Sequence, residues 1–186
     1  MKVAIYDLET SAFDAQGGVI LCCTIKEYGT GKKLKTFRGD DYPTWKRTRS
    51  NDKPITIDIL NYLNGYDILV AHNGEWFDKG FLNSKAIEYN LSPVVRQKKS
   101  IDPMQIAKRY MRLGRNALGI LINYLDIPHQ KSPVSLTVWR RASHDGDKTS
   151  MDYIVHHCEQ DVKALEGVYD RLRPLIDKVD KQGSRF

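Results

Sequence analysis

The sequence predicts an α/β fold: a mixed five-stranded sheet, an antiparallel meander plus parallel strands, flanked by helices. Three observations predict it. Three strand-like runs follow one another at the N-terminus, from Val3 to Thr10, Val19 to Tyr28 and Leu34 to Arg38. Asp67 to His72 is then apolar enough for a buried parallel strand, and helical patterns flank it. After a brief strand at Ser100–Asp102, every periodic stretch is helical. Strands first, then alternation, then helices suit a mixed sheet with helices on its faces.

Taken in order, Val3 and Ile5 belong to a short buried strand with β-branched residues and no breaker. Thr10 to Gly18 reads as a turn, and Gly29-Thr30-Gly31 closes a hairpin between the second and third strands. Gly39 to Pro54 is polar and irregular, with Trp45 among Lys46, Arg47 and Arg49, as in a surface loop or a nucleic-acid rim. Ile55 to Leu63 has helical spacing stopped by Asn64-Gly65. After Asn73-Gly74, the stretch Glu75–Tyr89 reads as a helix carrying Phe77, Phe81, Leu82 and Ile87. A basic loop with Arg96, Lys98 and Lys99 leads to the fifth strand, capped by Pro103. Met104–Leu113 is a helix, and Lys108, Arg109, Arg112 and Arg115 form a basic stripe there. Asn116–Leu125 is another helix, Val134–Asp147 holds Trp139-Arg140-Arg141 and a polar loop, and Ser150–Leu172 is the longest helical pattern.

The 186 residues are read as a single domain, 1–186, large enough for a core without staples. Hydrophobic residues at 41% and a mean hydropathy of -0.50 describe a soluble globule. No apolar run approaches the ~20 residues that span a bilayer, and the start carries no leader. Cys22, Cys23 and Cys158 form neither a disulfide framework nor a zinc spacing, so a cytoplasmic protein with buried free thiols is expected, with no membrane partner. The net charge is +6, from 29 basic and 23 acidic residues. Gathering several of those acids into one site leaves a more basic surface, which suits a polyanionic partner.

The acids do fall into a pattern. Asp7 and Glu9 sit two apart on a strand, so both leave the same face. Paired carboxylates are costly to desolvate, and a hard divalent cation relieves the repulsion. Alone they could equally end the strand in solvent. Asp78 follows the central strand and its Asn-Gly turn, where an ordinary acid at a helix N-terminus would also sit. Asp161 lies beside the apolar face of the last helix, one turn after His157, although a solvated Asp fits that helix as well.

Together, Asp-Leu-Glu-Thr in the first strand, Asn-x-x-x-Phe-Asp after a central strand and His-x-x-x-Asp-Val in a late helix resemble the DEDD superfamily of 3′-to-5′ exonucleases, whose fold is ribonuclease H-like. Ser100-Ile101-Asp102-Pro103, Asn116-Ala117-Leu118 and Leu-Asp-Ile before Pro128 also look like the family's intermediate segments. The resemblance implies that Asp7, Glu9, Asp78 and Asp161 bind two Mg²⁺ or Mn²⁺ ions, ~3.5–4 Å apart in such sites, for in-line displacement at phosphorus. It also implies a fifth catalytic residue. One branch places Tyr four residues before the last Asp, which is His157 here; the other places His five before it, which is His156. In a continuous helix the position four back shares the face of Asp161, whereas five back points away by roughly 140°. His157 is therefore favoured, unless the helix starts only near Cys158.

Thr10, Asn73 and Phe77 are candidates to line the terminal nucleotide, although Phe77 reads more readily as core, and Lys108 and Arg112 are candidates to follow the strand, where a solvated helix face fits equally. The implied activity is exonucleolytic, on 3′ ends of single-stranded DNA or RNA. A structure-dependent endonuclease of the same fold and an inactive nucleic-acid-binding module are the alternatives. No polymerase or helicase region fits beside it, so proofreading would need a polymerase or another replication or repair protein in trans.

Overall fold

A computed structural model describes residues 1–94, 99–128 and 133–181, with side chains to 176 in the last helix. Five strands form one sheet in the order β3-β2-β1-β4-β5: β1 (Val3–Thr10), β2 (Ile20–Glu27), β3 (Lys35–Arg38), β4 (Ile68–Val70) and β5 (Lys99–Ile101). β1–β2 and β2–β3 are antiparallel, while β1–β4 and β4–β5 are parallel. The mixed sheet and its meander are thus as the sequence predicts. The helices are α1 (Pro43–Arg47), α2 (Lys53–Leu63), α3 (Asp78–Glu88), α4 (Pro103–Tyr110), α5 (Leu118–Tyr124), α6 (Leu136–Arg140) and α7 (Lys148–Lys181).

Alternation along β1 sorts its side chains between two cores. Ala4, Tyr6 and Leu8 pack with Ile55, Ile59, Leu63, Phe81 and Leu82 from α2 and α3. Ile5 faces the other way, with Ile106, Leu121, Val162 and Leu165 from α4, α5 and α7. Asp7 and Glu9 continue the Ile5 face, so the same periodicity turns them toward α7.

The parallel partner of β1 is short. β4 pairs only Ile68, Leu69 and Val70 with Val3, Ala4 and Ile5, so the β4-side edge of β1 is left unladdered beyond Ile5. On the other side the pairing with β2 runs to Thr10, with a register shift between Glu9 and Thr10. The acidic end of β1 therefore has one covered and one open edge.

Several boundaries differ from the sequence expectation. The stretch expected to be irregular contains a 3₁₀ turn at Gly39–Asp41 and α1. Trp45 is 5% exposed and packs on Leu21 and Cys22, so it belongs to the core and not to a rim. Gly39 makes room for it: a Cβ there would stand 3.0 Å from the indole. The helix expected from Glu75 begins only at Asp78, because turns carry the chain through 72–77. α4 stops at Tyr110, as Met111 turns extended to pack half-buried against the α4–α7 core. The basic stripe is thereby split: Lys108 and Arg109 stay on the helix, while Arg112 and Arg115 lie in the non-helical segment beyond it. Arg96 and Lys98 fall outside the described residues. The polar loop after Trp139 is a π-helical turn, Arg141–Asp145, closed by left-handed Gly146.

α7 starts earlier than its apolar pattern suggests. Asp147 accepts the Ser150 amide at 2.9 Å, an N-terminal cap that sets the first turn at Lys148. From there the helix runs unbroken past both histidines and Asp161. No helix among the described residues is long and apolar enough to cross a membrane. Cys22, Cys23 and Cys158 are buried free thiols.

Candidate active site

The acidic end of β1 meets the middle of α7. Nε2 of His157 stands 3.8 Å from Oε1 of Glu9 and 3.7 Å from Oδ2 of Asp161. Asp161 is 2% exposed and His157 6% exposed, whereas His156 faces solvent one residue earlier on the same helix. Helical spacing explains the difference, since four residues return to the same face and five do not. Glu9, His157 and Asp161 can each place a ligand atom within 4.8 Å of the others.

Asp7 lies in a second cluster that shares Glu9 and adds Cys158. The Cys158 thiol donates to the Asp7 carbonyl at 3.4 Å, and burial pushes its pKa well above the usual value. Its sulfur is engaged by that carbonyl, and the other donors are carboxylate oxygens and one imidazole. That hard set fits Mg²⁺ or Mn²⁺.

Asp78 reaches the site from the open edge of β1. Its Oδ1 accepts the Leu8 amide at 2.9 Å, satisfying a backbone donor that β4 is too short to pair. The side chain is 3% exposed. Burial raises its pKa well above the usual carboxylate value, and the negative charge of Asp7 raises it further. A buried acid whose ionisation is opposed by a half-buried neighbouring carboxylate is the arrangement a shared cation would relieve. Asp78 thus adjoins Asp7 but belongs to neither close ligand cluster.

The expected substrate-lining residues are placed as follows. Thr10 is 9% exposed, and its hydroxyl donates to the Ala12 carbonyl at 2.6 Å, bracing the β1–β2 turn. Asn73 adopts a left-handed φ of 62°, and its amide donates to Asp102 at 2.9 Å. Phe77 is half-buried, with ring centroids of Phe81 at 6.1 Å, Phe13 at 6.4 Å and Trp76 at 6.5 Å. It joins the buried ring of Phe81 to those of Phe13 and Trp76, which are 89% and 73% exposed. Lys108 is exposed on α4, where its charge acts on Asp102, and Arg112 is exposed beyond that helix.

Phe13, Trp76 and Asp102 were not among the expected site residues. For the aromatics a signal existed: each is a large ring in a polar turn that carries no hydrophobic period. Asp102 lies in the family-like segment Ser100-Ile101-Asp102-Pro103, but its local sequence gives no sign of the distant Asn73 amide that it accepts.

The geometry defines a class: an α/β sheet with carboxylates at the end of its first strand, facing a late helix that adds another acid and a histidine. The chain belongs to the ribonuclease H superfamily, whose family model matches residues 4–173. Its fold is similar to part of the family B DNA polymerase from the hyperthermophilic archaeon Pyrobaculum calidifontis, with a TM-score of 0.72 and 14% identity. That match covers 94% of this chain and 25% of the polymerase chain, so the chain spans about a quarter of its relative's length. Comparison with curated proteins gives no match. The fold is that of ribonuclease H-like nucleases.

Proposed function

We propose that the protein is a two-metal-ion-dependent 3′-to-5′ exonuclease acting on single-stranded nucleic acid. One observation carries the reading: Glu9 from the first strand meets His157 and Asp161 from the last helix, with Asp7 beside Glu9 and Asp78 beside Asp7. Asp7, Glu9, Asp78 and Asp161 would hold the Mg²⁺ or Mn²⁺ ions. Bound there, such ions activate water and stabilise charge at phosphorus and on the leaving oxygen.

The chain's own groups supply the rest. Nε2 of His157, held between Glu9 and Asp161, orients the attacking water and takes its proton. A new P–O bond forms, the P–O3′ bond breaks, and the terminal residue leaves as a nucleoside 5′-monophosphate. Ring faces of Phe13, Trp76 and Phe77 can stack unpaired bases, which supports a single-stranded end over a duplex. Lys108 and Arg112 offer positive charge to the upstream phosphates. A polymerase or repair protein is the natural source of such ends.

The test is a time course on 5′-labelled single-stranded DNA and RNA with Mg²⁺, Mn²⁺ or EDTA. A ladder shortening from the 3′ end, abolished by EDTA, is expected. Internal cuts would assign the site to an endonuclease, and binding without cleavage to an inactive module.

A further inference from the structure

We infer that Asp102 is a positioning residue for the Asp78 arm of the site, tethering the left-handed turn at Asn73 to the start of α4; this rests on the proposed nuclease reading. Asp102 follows β5 and is 7% exposed. Its Oδ1 accepts two backbone amides, Met104 at 2.9 Å within its own helix start and Asn73 at 2.9 Å from the β4–α3 turn. The first bond is an ordinary cap that Ser or Asn would also make. The second is long-range and joins two elements that no strand pairing connects beyond Ile101.

The turn it holds has little freedom of its own. Asn73 sits at φ 62°, a left-handed region that Asn tolerates better than most non-glycine residues. Next to it, a Cβ on Gly74 would stand 2.3 Å from that of Ala71, so the chain doubles back in contact with itself. Two further bonds pass the geometry on: Phe77 donates to the Asn73 carbonyl at 3.0 Å and Lys79 to that of Gly74 at 2.8 Å. They bracket Asp78, whose Oδ1 must reach the Leu8 amide beside Asp7. Oδ2 of Asp102 is buried without a hydrogen-bond partner among the described residues, so the carboxylate is kept at a desolvation cost that a cap alone does not require.

Three variants separate positioning from capping. Asp102→Asn keeps an acceptor of the same reach, Asp102→Ser keeps the cap but is too short for Asn73, and Asp102→Ala keeps neither. Turnover should fall on the order of 10²-fold in the Ser and Ala variants, the cost of a displacement near 1 Å, with KM within about twofold. Asp102→Asn should retain most of the turnover. Exchange of the Asn73 amide proton should quicken in the Ser and Ala variants alone, and the Mn²⁺-induced rise in melting temperature should shrink in both. Wild-type turnover in Asp102→Ser, or unchanged Asn73 exchange, would overturn the inference. The exchange and melting readouts need no cleavage, so a wild-type protein that cuts nothing would fail the nuclease reading and still decide the tether.

Discussion

Nε2 of His157 stands 3.8 Å from Oε1 of Glu9, which closes the last helix onto the first strand at its acidic end. The neighbouring His156 has no such placement, because α7 is continuous and carries it to the solvent side. His157→Ala should therefore lower turnover by roughly 10²–10⁴-fold, the usual reach of general base catalysis. His156→Ala should leave it nearly unchanged, and both should bind single strands as wild type does. His157→Tyr, which puts a Tyr four residues before the last Asp as in one branch of the DEDD superfamily that the sequence resembles, should keep appreciable activity. Steady-state kinetics on a labelled oligonucleotide decides; an inactive His156→Ala beside a normal His157→Ala would move the base to His156.

Asp7 is the carboxylate shared between its neighbours, lying in one cluster with Glu9 and close enough to Asp78 to raise its pKa. Asp7→Ala should abolish cleavage and leave the apo protein at least as stable, since it removes a repulsion. Thermal melts with and without Mn²⁺ give the check: wild type should gain stability from the metal, and the variant should gain less. Normal cutting by the variant would refute the metal-site assignment.

The raised pKa of Asp78 predicts a pH dependence. In the unfolded chain the group titrates near ~3.9. Between that value and its higher folded value, the native state holds a proton that the unfolded state has lost. Its contribution to stability is thus present at low pH and disappears as pH rises through the folded pKa. Asp78→Asn keeps the Oδ1 acceptor for Leu8 and cannot ionise. In the absence of metal it should melt a few degrees above wild type at neutral pH, with the gap closing toward pH ~4. Parallel melting curves across that range would show that Asp78 is not protonated in the apo fold.

Gly74 offers a purely structural test. A Cβ there would lie 2.3 Å from the Cβ of Ala71, and the clash involves backbone on both sides. Gly74→Ala should destabilise the protein by about 1–3 kcal/mol, the usual cost of overpacking. Urea denaturation measures it. Gly114→Ala, where an added Cβ meets nothing within 4 Å, is the matched control and should stay near wild type.

Local periodicity carries much of this arrangement. Alternation along β1 puts Asp7 and Glu9 on the face of Ile5, and the helical repeat puts His157 on the face of Asp161; both follow from backbone geometry within one element. The order of elements likewise implies the mixed sheet. Other features depend on residues distant in the chain, which leave no local period. That β4 ends at Val70, freeing the Leu8 amide for Asp78, is settled by pairing across the sheet. The burial of Trp45 depends on the surface that Leu21 and Cys22 present to it. That His157 and not His156 faces Asp161 needed the helix to begin before them, and a cap at Asp147 provides that start. The tie from Asp102 to Asn73 joins two loops at the strand ends, where only the folded chain brings donor and acceptor together.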